Sequence, residues 1–321
     1  MLSGLILDQN YQDRAMNVVV IGDSRVAEGF SPETANVVSN GRGINFIPLG
    51  MPGTTPRIWN YFLRSVNRPS RPLQAVVVMA TSFDDSDVLE NLDDRVLDIN
   101  FMMPLLAPRN IPQFVESFHG NAARTRALRA AALPALAMQS DIHAFLCSPL
   151  KRIAKVDTYY DHYSKSLYAY PGHPERIPDL PRAILSLPVV DQSMAPPNLV
   201  GPLNDYLRDI RRERPASLVE ATKTYRKVWY GRIAEYFHSQ GIPVFVFQIP
   251  RGPFHKELVG DRQTEGALSE LAREGDVTLL NTAPFVDLEE PQYFFDFLHL
   301  NAAGRQAFSE RLATIVTPLI Q

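Results

Sequence analysis

The sequence predicts a doubly wound α/β fold, a three-layer α/β/α sandwich around a mainly parallel five-stranded sheet. Three observations carry that prediction. Five short runs of apolar, largely β-branched residues recur along the chain, and stretches with helical patterning lie between and after them. Residues 88–215 interrupt the alternation with no such run, so the sheet must be assembled from both ends of the chain.

The first run, residues 17–21 (NVVVI), ends at Gly22. It shows no polar alternation, as expected of a strand covered on both faces, which is how parallel sheets are built. The segment after Gly22 can turn into a helix, and residues 31–39 have helical patterning. Residues 44–49 form the second strand, 56–66 a helix and 75–80 (AVVVMA) the third strand. Beyond the interruption come a helix over 218–240, the fourth strand over 242–249 (IPVFVFQI), a helix over 264–274, a fifth strand over 277–280 and a final helix over 302–315. The core is therefore residues 17–87 and 216–321 of one domain, and 88–215 is a large helical and loop insertion. Within it, 122–138 and 141–156 have helical composition, whereas 159–202 is crowded with proline and tyrosine and is expected to be mostly irregular.

Composition removes several function classes. The 321 residues are 45% hydrophobic and 21% charged, as in soluble globular chains, and a net charge of −3 provides no global positive field to gather nucleic acid or anionic membrane. A single cysteine, Cys147, excludes an internal disulfide and any multi-cysteine zinc or iron–sulfur site. No stretch reaches the roughly 18 to 20 apolar residues of a membrane span, so no membrane insertion is expected; the nearest, 130–138, is broken by Pro134. The first residues, MLSGLILDQNYQDR, lack a basic region and a long apolar run. Whether a signal or anchor lies upstream stays open, and no feature of the sequence assigns a compartment, cytoplasmic or extracytoplasmic.

Two segments at opposite ends of the chain carry chemistry. Gly22-Asp23-Ser24-Arg25 stands at the carboxyl end of the first strand, where ligands gather in open α/β sheets. Alone, the triplet reads equally as Asp or Ser capping the next helix. Phe295-Asp296-Phe297-Leu298-His299-Leu300-Asn301 leads into the final helix, and an Asp three residues before a His can fix its tautomer and stabilise its imidazolium. Alone, this is also an Asx turn with Asn301 as helix cap.

Together, Asp23-Ser24 and Asp296-x-x-His299, with His-Leu-Asn-x-x-Gly after the last, resemble the nucleophile and final blocks of the SGNH (GDSL) hydrolase superfamily. The resemblance implies a flavodoxin-like sheet, Ser24 as nucleophile, His299 as general base and Asp296 as its orienting acid. It also implies oxyanion donors from the Ser24 backbone N–H, from a glycine best matched by Gly53 in Leu49-Gly50-Met51-Pro52-Gly53, and from an asparagine in a third block. That block departs from the family: Ala80-Thr81-Ser82-Phe83-Asp84 has no asparagine. Aligning its aspartate places Phe83 at the asparagine position, and sliding the register places Ser82 or Thr81 near it. A hydroxyl can donate and a phenyl ring cannot, so Ser82 is the candidate third donor.

The resemblance implies hydrolysis of a carboxylic ester, a short acyl such as acetyl on a carbohydrate, without a cofactor. Two alternatives stand beside it: an O-acyltransferase using the same triad on a cell-envelope polysaccharide, as in the envelope-associated SGNH proteins that the chain resembles more loosely, and a non-catalytic binding module. Tyr159, Tyr160, Tyr163, Tyr168, Tyr170 and Trp229 are candidates for a sugar-stacking surface, although packing within the insertion is the simpler account. The apolar residues of 101–138 read either as a lid over an acyl pocket or as packing on the core. Arg124, Arg126, Arg129 and Arg208, Arg211, Arg212, Arg214 read as solvated surface. His162 beside Asp157 and Asp161 has no second histidine at ligand spacing, and Gly41-Arg-Gly43 precedes a strand rather than following one, so neither a metal nor a nucleotide cofactor is expected.

Overall fold

In the computed structural model the described residues are 7 and 10–320, apart from 40, 69, 88–91, 93, 104, 161–169 and 260–264. Strand β1 (Met16–Gly22) leads to α1 (Ser24–Gly29) and α2 (Pro32–Val38), then β2 (Ile44–Gly50), α3 (Pro56–Val66) and β3 (Ala75–Ala80). The insertion contributes α4 (Leu97–Met102), α5 (Ile111–Glu116), α6 (Asn121–Ala132), α7 (Pro134–Ala137), α8 (Gln139–Cys147), α9 (Pro149–Tyr160) and α10 (Pro197–Arg211). The chain then returns to the core through α11 (Ala216–His238), β4 (Val244–Gln248), α12 (His255–Val259), α13 (Ala267–Glu274), β5 (Thr278–Leu279) and α14 (Ala302–Val316).

The five strands pair in parallel in the order β2-β1-β3-β4-β5. The chain winds outward from β1 in one direction to β2 and in the other to β3, so the switch point lies at the carboxyl end of β1, where Gly22 leads to Ser24. Val18 to Ile21 and Ala75 to Ala80 are buried on both faces, which explains their unbroken apolar runs. Helices α1, α2 and α14 pack together as one layer, and α3, α11 and α13 as the other.

Buried polar links tie the ends of the chain to each other. Arg305 of α14 is buried and donates through Nη1 to the carbonyls of Ala27 (2.9 Å) and Glu28 (2.7 Å), the otherwise open end of α1. Burial pushes its guanidinium down to about 10. Ser309 Oγ accepts the Ser31 N–H at 2.7 Å, so α14 grips the start of α2 as well.

The insertion differs from expectation in three places. The helical stretch expected over 122–138 is broken at Pro134 into α6 and α7, and the one over 141–156 is broken before Pro149 into α8 and α9, because proline cannot donate within a helix and excludes the α conformation before it. The stretch expected to be irregular contains part of α10, fifteen residues with Pro202 inside; burial of Leu203 and Leu207 outweighs the hydrogen bond that Pro202 forfeits. Trp229 does not offer a sugar-stacking face: it lies buried in α11 against Tyr61 and Tyr225. Tyr163, Tyr168, His162 and Asp161 lie outside the described residues, as do the side chains of Tyr159 and Tyr160.

Candidate active site

Asp23 is the N-cap of α1, its Oδ1 accepting the Arg25 N–H at 2.8 Å while Arg25 Nη2 donates to Oδ2 at 2.6 Å. The capping role and a site role thus coexist. Ser24 becomes the first helical residue, where a backbone N–H has no intrahelical acceptor. Its hydroxyl points out of the sheet at the carboxyl end of β1, half-buried.

The second segment forms a tight turn before α14. Asp296 Oδ1 accepts the backbone N–H groups of Leu298 (2.8 Å) and His299 (2.6 Å), the Asx turn read from the sequence, while its Oδ2 accepts from His299 Nδ1 at 2.8 Å. Asn301 caps α14 through the Gly304 N–H at 3.0 Å. With Nδ1–H given to Asp296, His299 Nε2 keeps its lone pair and accepts the Ser24 hydroxyl at 2.9 Å. Burial of the Asp296 carboxyl works against its charge, yet the hydrogen bond and charge of His299, with the two backbone donors, outweigh it and hold the carboxyl below its ordinary range. Ser24, His299 and Asp296, 275 residues apart at the first link, are therefore brought into one hydrogen-bonded line.

The insertion braces this turn. The Ala302 N–H donates to the His173 carbonyl at 2.7 Å and the Ile177 N–H to the Phe294 carbonyl at 2.9 Å. Gly172 approaches Ala302 in the left-handed region (φ 83°), where an added Cβ would lie 3.0 Å from the Ala302 Cα. The Phe295 ring stacks between His299 and His173, with centroids 5.7 and 3.9 Å away. Tyr170, read from the sequence as a possible sugar contact, instead donates its hydroxyl to Glu28 of α1 at 2.6 Å.

Gly53 lies in the loop after β2, also in the left-handed region (φ 73°). That loop is fixed to β1 by the Met51 N–H, which donates to the Gly22 carbonyl at 2.8 Å, and to α3 by Trp59 Nε1, which donates to Thr54 Oγ1 at 2.8 Å. The Gly53 carbonyl accepts from Arg95 Nη1 at 2.7 Å, and Arg95 is held in turn by Asp98 at 3.1 Å. Asp98 also receives Thr55 Oγ1 (2.9 Å) and Arg57 Nη1 (3.3 Å) in a fully buried pair. Burial raises its carboxyl above the ordinary value, against the pull of Arg57, Thr55 and Arg95. Arg57 lies over the Phe118 ring at 4.2 Å. Arg95, Asp98 and Phe118 all come from the insertion, so this part of it packs on the core, and the segment around Phe101 touches Gly53 without forming a detached lid.

Two cavities flank the triad. One, about 340 Å³, opens from Ser24 past Gly53 toward Trp59, Met79, Tyr225 and Tyr230. The other, about 400 Å³, lies on the His299 side between α10, through Tyr206 and Asp209, and the Arg251–His255 segment. Burial pushes both tyrosine phenols of the first cavity far up, so they remain donors, Tyr225 to Thr55 Oγ1 (3.0 Å) and Tyr230 to the Met79 carbonyl (2.6 Å). Arg251 is paired with the buried Glu289 at 2.8 Å.

Ser82 is not brought to this cleft. It is buried and its Oγ accepts the Asp84 N–H at 3.0 Å, closing a local turn. The hydroxyl that lines both cavities is that of Thr81, and its Oγ1 accepts from Arg226 Nη2 at 3.1 Å. Arg226 is anchored by Asp85 Oδ1 (3.0 Å) and the Asp84 carbonyl (2.8 Å). Sequence reasoning missed Arg226 and Arg95, since a single arginine in a helix or a loop carries no local signal of where tertiary packing sends it. Arg214, read as surface, lines the His299-side cavity and donates to the Asp209 carbonyl at 2.7 Å.

Among the described residues no three His, Cys, Asp or Glu side chains converge as a metal site. No protein-family model matches the chain, and no curated protein matches it.

Proposed function

We propose that the protein is a serine hydrolase of the SGNH type acting on a carboxylic ester. The observation that carries this reading is the hydrogen-bonded line from Asp296 through His299 to Ser24, ending beside Gly53 in an open cavity. Ser24 Oγ attacks the ester carbonyl carbon while His299 Nε2 takes the hydroxyl proton, and Asp296 stabilises the resulting imidazolium. His299 then returns that proton to the leaving alkoxide oxygen as the carbon–oxygen bond breaks, leaving an acyl-enzyme. Water, deprotonated by His299, attacks the acyl carbon and restores the Ser24 hydroxyl.

The oxyanion is received by the Ser24 and Gly53 backbone N–H groups, each such donor contributing about 3 kcal/mol in a preorganised site. Thr81 serves as the third donor in place of the family's asparagine. Arg226 occupies one lone pair of its oxygen and leaves the hydroxyl hydrogen to face the cleft. Because the proton donor to the leaving group is His299, the alcohol portion belongs in the His299-side cavity and the acyl portion in the Ser24-side cavity. The latter, about 340 Å³, has room for a short acyl group such as acetyl.

A second reading uses the same residues to transfer the acyl group to a sugar hydroxyl. It is favoured by Tyr206, Asp209, Arg214 and Arg25, polar side chains set in the otherwise largely apolar lining of the His299-side cavity, which offer partners to an acceptor hydroxyl. Labelling with a fluorophosphonate and hydrolysis of p-nitrophenyl acetate test the catalytic reading. Wild type is labelled, and Ser24→Ala loses labelling and about a thousandfold or more of turnover. An unlabelled wild-type protein with no esterase activity leaves only the non-catalytic alternative. Adding an oligosaccharide acceptor then divides transfer from hydrolysis by the ratio of acetylated sugar to free acetate.

A further inference from the structure

Residues 134–158, which include helices α7 and α8 and most of α9, stand apart from the body. None of their described side chains is buried, and ten of the eighteen exposed large apolar side chains among the described residues lie between Leu128 and Val156. Leu133, Leu136, Phe145, Leu146, Leu150 and Ile153 are each at least half exposed, Leu150 at 81%. An apolar cleft of about 420 Å³ runs between α8 and α9, lined by Met138, Ile142, Phe145, Ile153 and Val156. An ion pair, Arg152 to Asp141 at 3.1 Å, spans it. Short helices draw most of their stability from burying an apolar face, and an exposed patch of this kind marks a surface that meets something.

Charge indicates what it meets. The hairpin itself carries Lys151, Arg152 and Lys155 against Asp141 and Asp157, a net +1, and the exposed Arg124, Arg126 and Arg129 of the adjoining α6 raise residues 121–158 to +4, which leaves −7 for the rest of a chain whose total is −3. Isologous pairing of two copies would set this net positive face, with the α6 arginines beside it, against itself, which disfavours a second copy as the occupant. Leucine, isoleucine and phenylalanine flanked by lysine and arginine on short helices is the pattern that lies in the interface of an anionic bilayer. No described helix is long and apolar enough to cross a membrane, so the contact lies on the surface.

We propose that the α7–α9 hairpin is a peripheral docking surface for an anionic lipid membrane. The apolar side chains enter the level between headgroups and acyl chains, and Lys151 and Lys155 remain at the phosphates. This inference does not rest on the triad, and it holds or fails whether or not the protein hydrolyses esters.

Cys147, exposed at the end of α8 and the chain's one cysteine, supplies the reporter. The full chain, labelled there with a polarity-sensitive fluorophore, is mixed with phosphatidylcholine vesicles with or without phosphatidylglycerol, and unlabelled protein is pelleted with the same vesicles. The expected result is a blue shift and co-sedimentation with the phosphatidylglycerol vesicles only. Binding should weaken about tenfold or more as salt rises from about 0.1 to about 1 M and the Debye length contracts from about 10 to about 3 Å. Leu146→Asp with Leu150→Asp, and separately Lys151→Glu with Lys155→Glu, should each lose about tenfold or more in vesicle affinity with an unchanged melting temperature. Failure of the wild type to bind phosphatidylglycerol vesicles, or equal binding to both compositions, overturns the proposal. So does concentration-dependent dimerisation abolished by the leucine variant without vesicle binding. The wild-type comparison of the two compositions decides the matter even if a variant misfolds.

Discussion

Two parts of one insertion behave oppositely. The segments around Arg95–Phe118 and Tyr170–Ile177 are woven into the site: Asp98 and Phe118 are buried against Arg57, Arg95 holds the Gly53 carbonyl, and the backbone of His173 and Ile177 braces the turn bearing His299. No described side chain of residues 134–158 is fully buried. The difference teaches that a long interruption of a fold need not have one role. The woven part is scaffold for the site, and the projecting part is free to serve an outside surface.

Perturbing the woven part should cost stability first. Asp98→Ala leaves Arg57 buried without its carboxylate and should destabilise by about 3 to 5 kcal/mol in urea unfolding, with Asp98→Asn recovering part of that loss. A cost below about 1 kcal/mol would erase the contrast. Arg95→Ala frees the Gly53 carbonyl, so kcat should fall about tenfold with KM nearly unchanged, because the misaligned N–H acts on the transition state. An equal rise in KM would instead make Arg95 a ground-state contact.

A third measurement concerns the wall where α10 meets His255. His255 is buried, and burial with the nearby Arg251 pushes its imidazole from 6.5 down to about 3. The unfolded chain therefore binds the proton first: the contribution is complete above about pH 6.5 and is lost progressively as pH falls toward 3. His255→Gln should flatten the decline in melting temperature between pH 7 and pH 4, and an unchanged slope would place the acid sensitivity elsewhere. The smallest effect is expected in the hairpin, where Leu150→Asp should alter stability by no more than about 0.5 kcal/mol in the same assay.

Much of this could be read from the residues, for identifiable reasons. Strands β1, β3 and β4 announce themselves because both faces are buried and nothing polar interrupts Val18 to Ile21, Ala75 to Ala80 or Val244 to Phe247. The pairing of Asp296 with His299 was legible because both sit on one turn, three residues apart. What was not legible depends on distant partners. Ser82 and Thr81 are adjacent hydroxyls, and only the turn at Asp84 and the reach of Arg226 decide which one faces the cleft. Helix α10 was hidden by its prolines, and Trp229 offered no sign that Tyr61 and Tyr225 would enclose it.

The clasp of Arg305 on the carbonyls of Ala27 and Glu28 bears on how the molecule comes into being. During synthesis the strand carrying Ser24 leaves the ribosome 275 residues ahead of its partner His299, and further still ahead of the helix that secures α1. A nascent chain that stops short of His299 holds Ser24 without its hydrogen-bond partner, so the line of Ser24, His299 and Asp296 forms only after both segments have been made. A truncation that removes α14 would take away the clasp on α1 and loosen Ser24 without touching a residue near it in sequence.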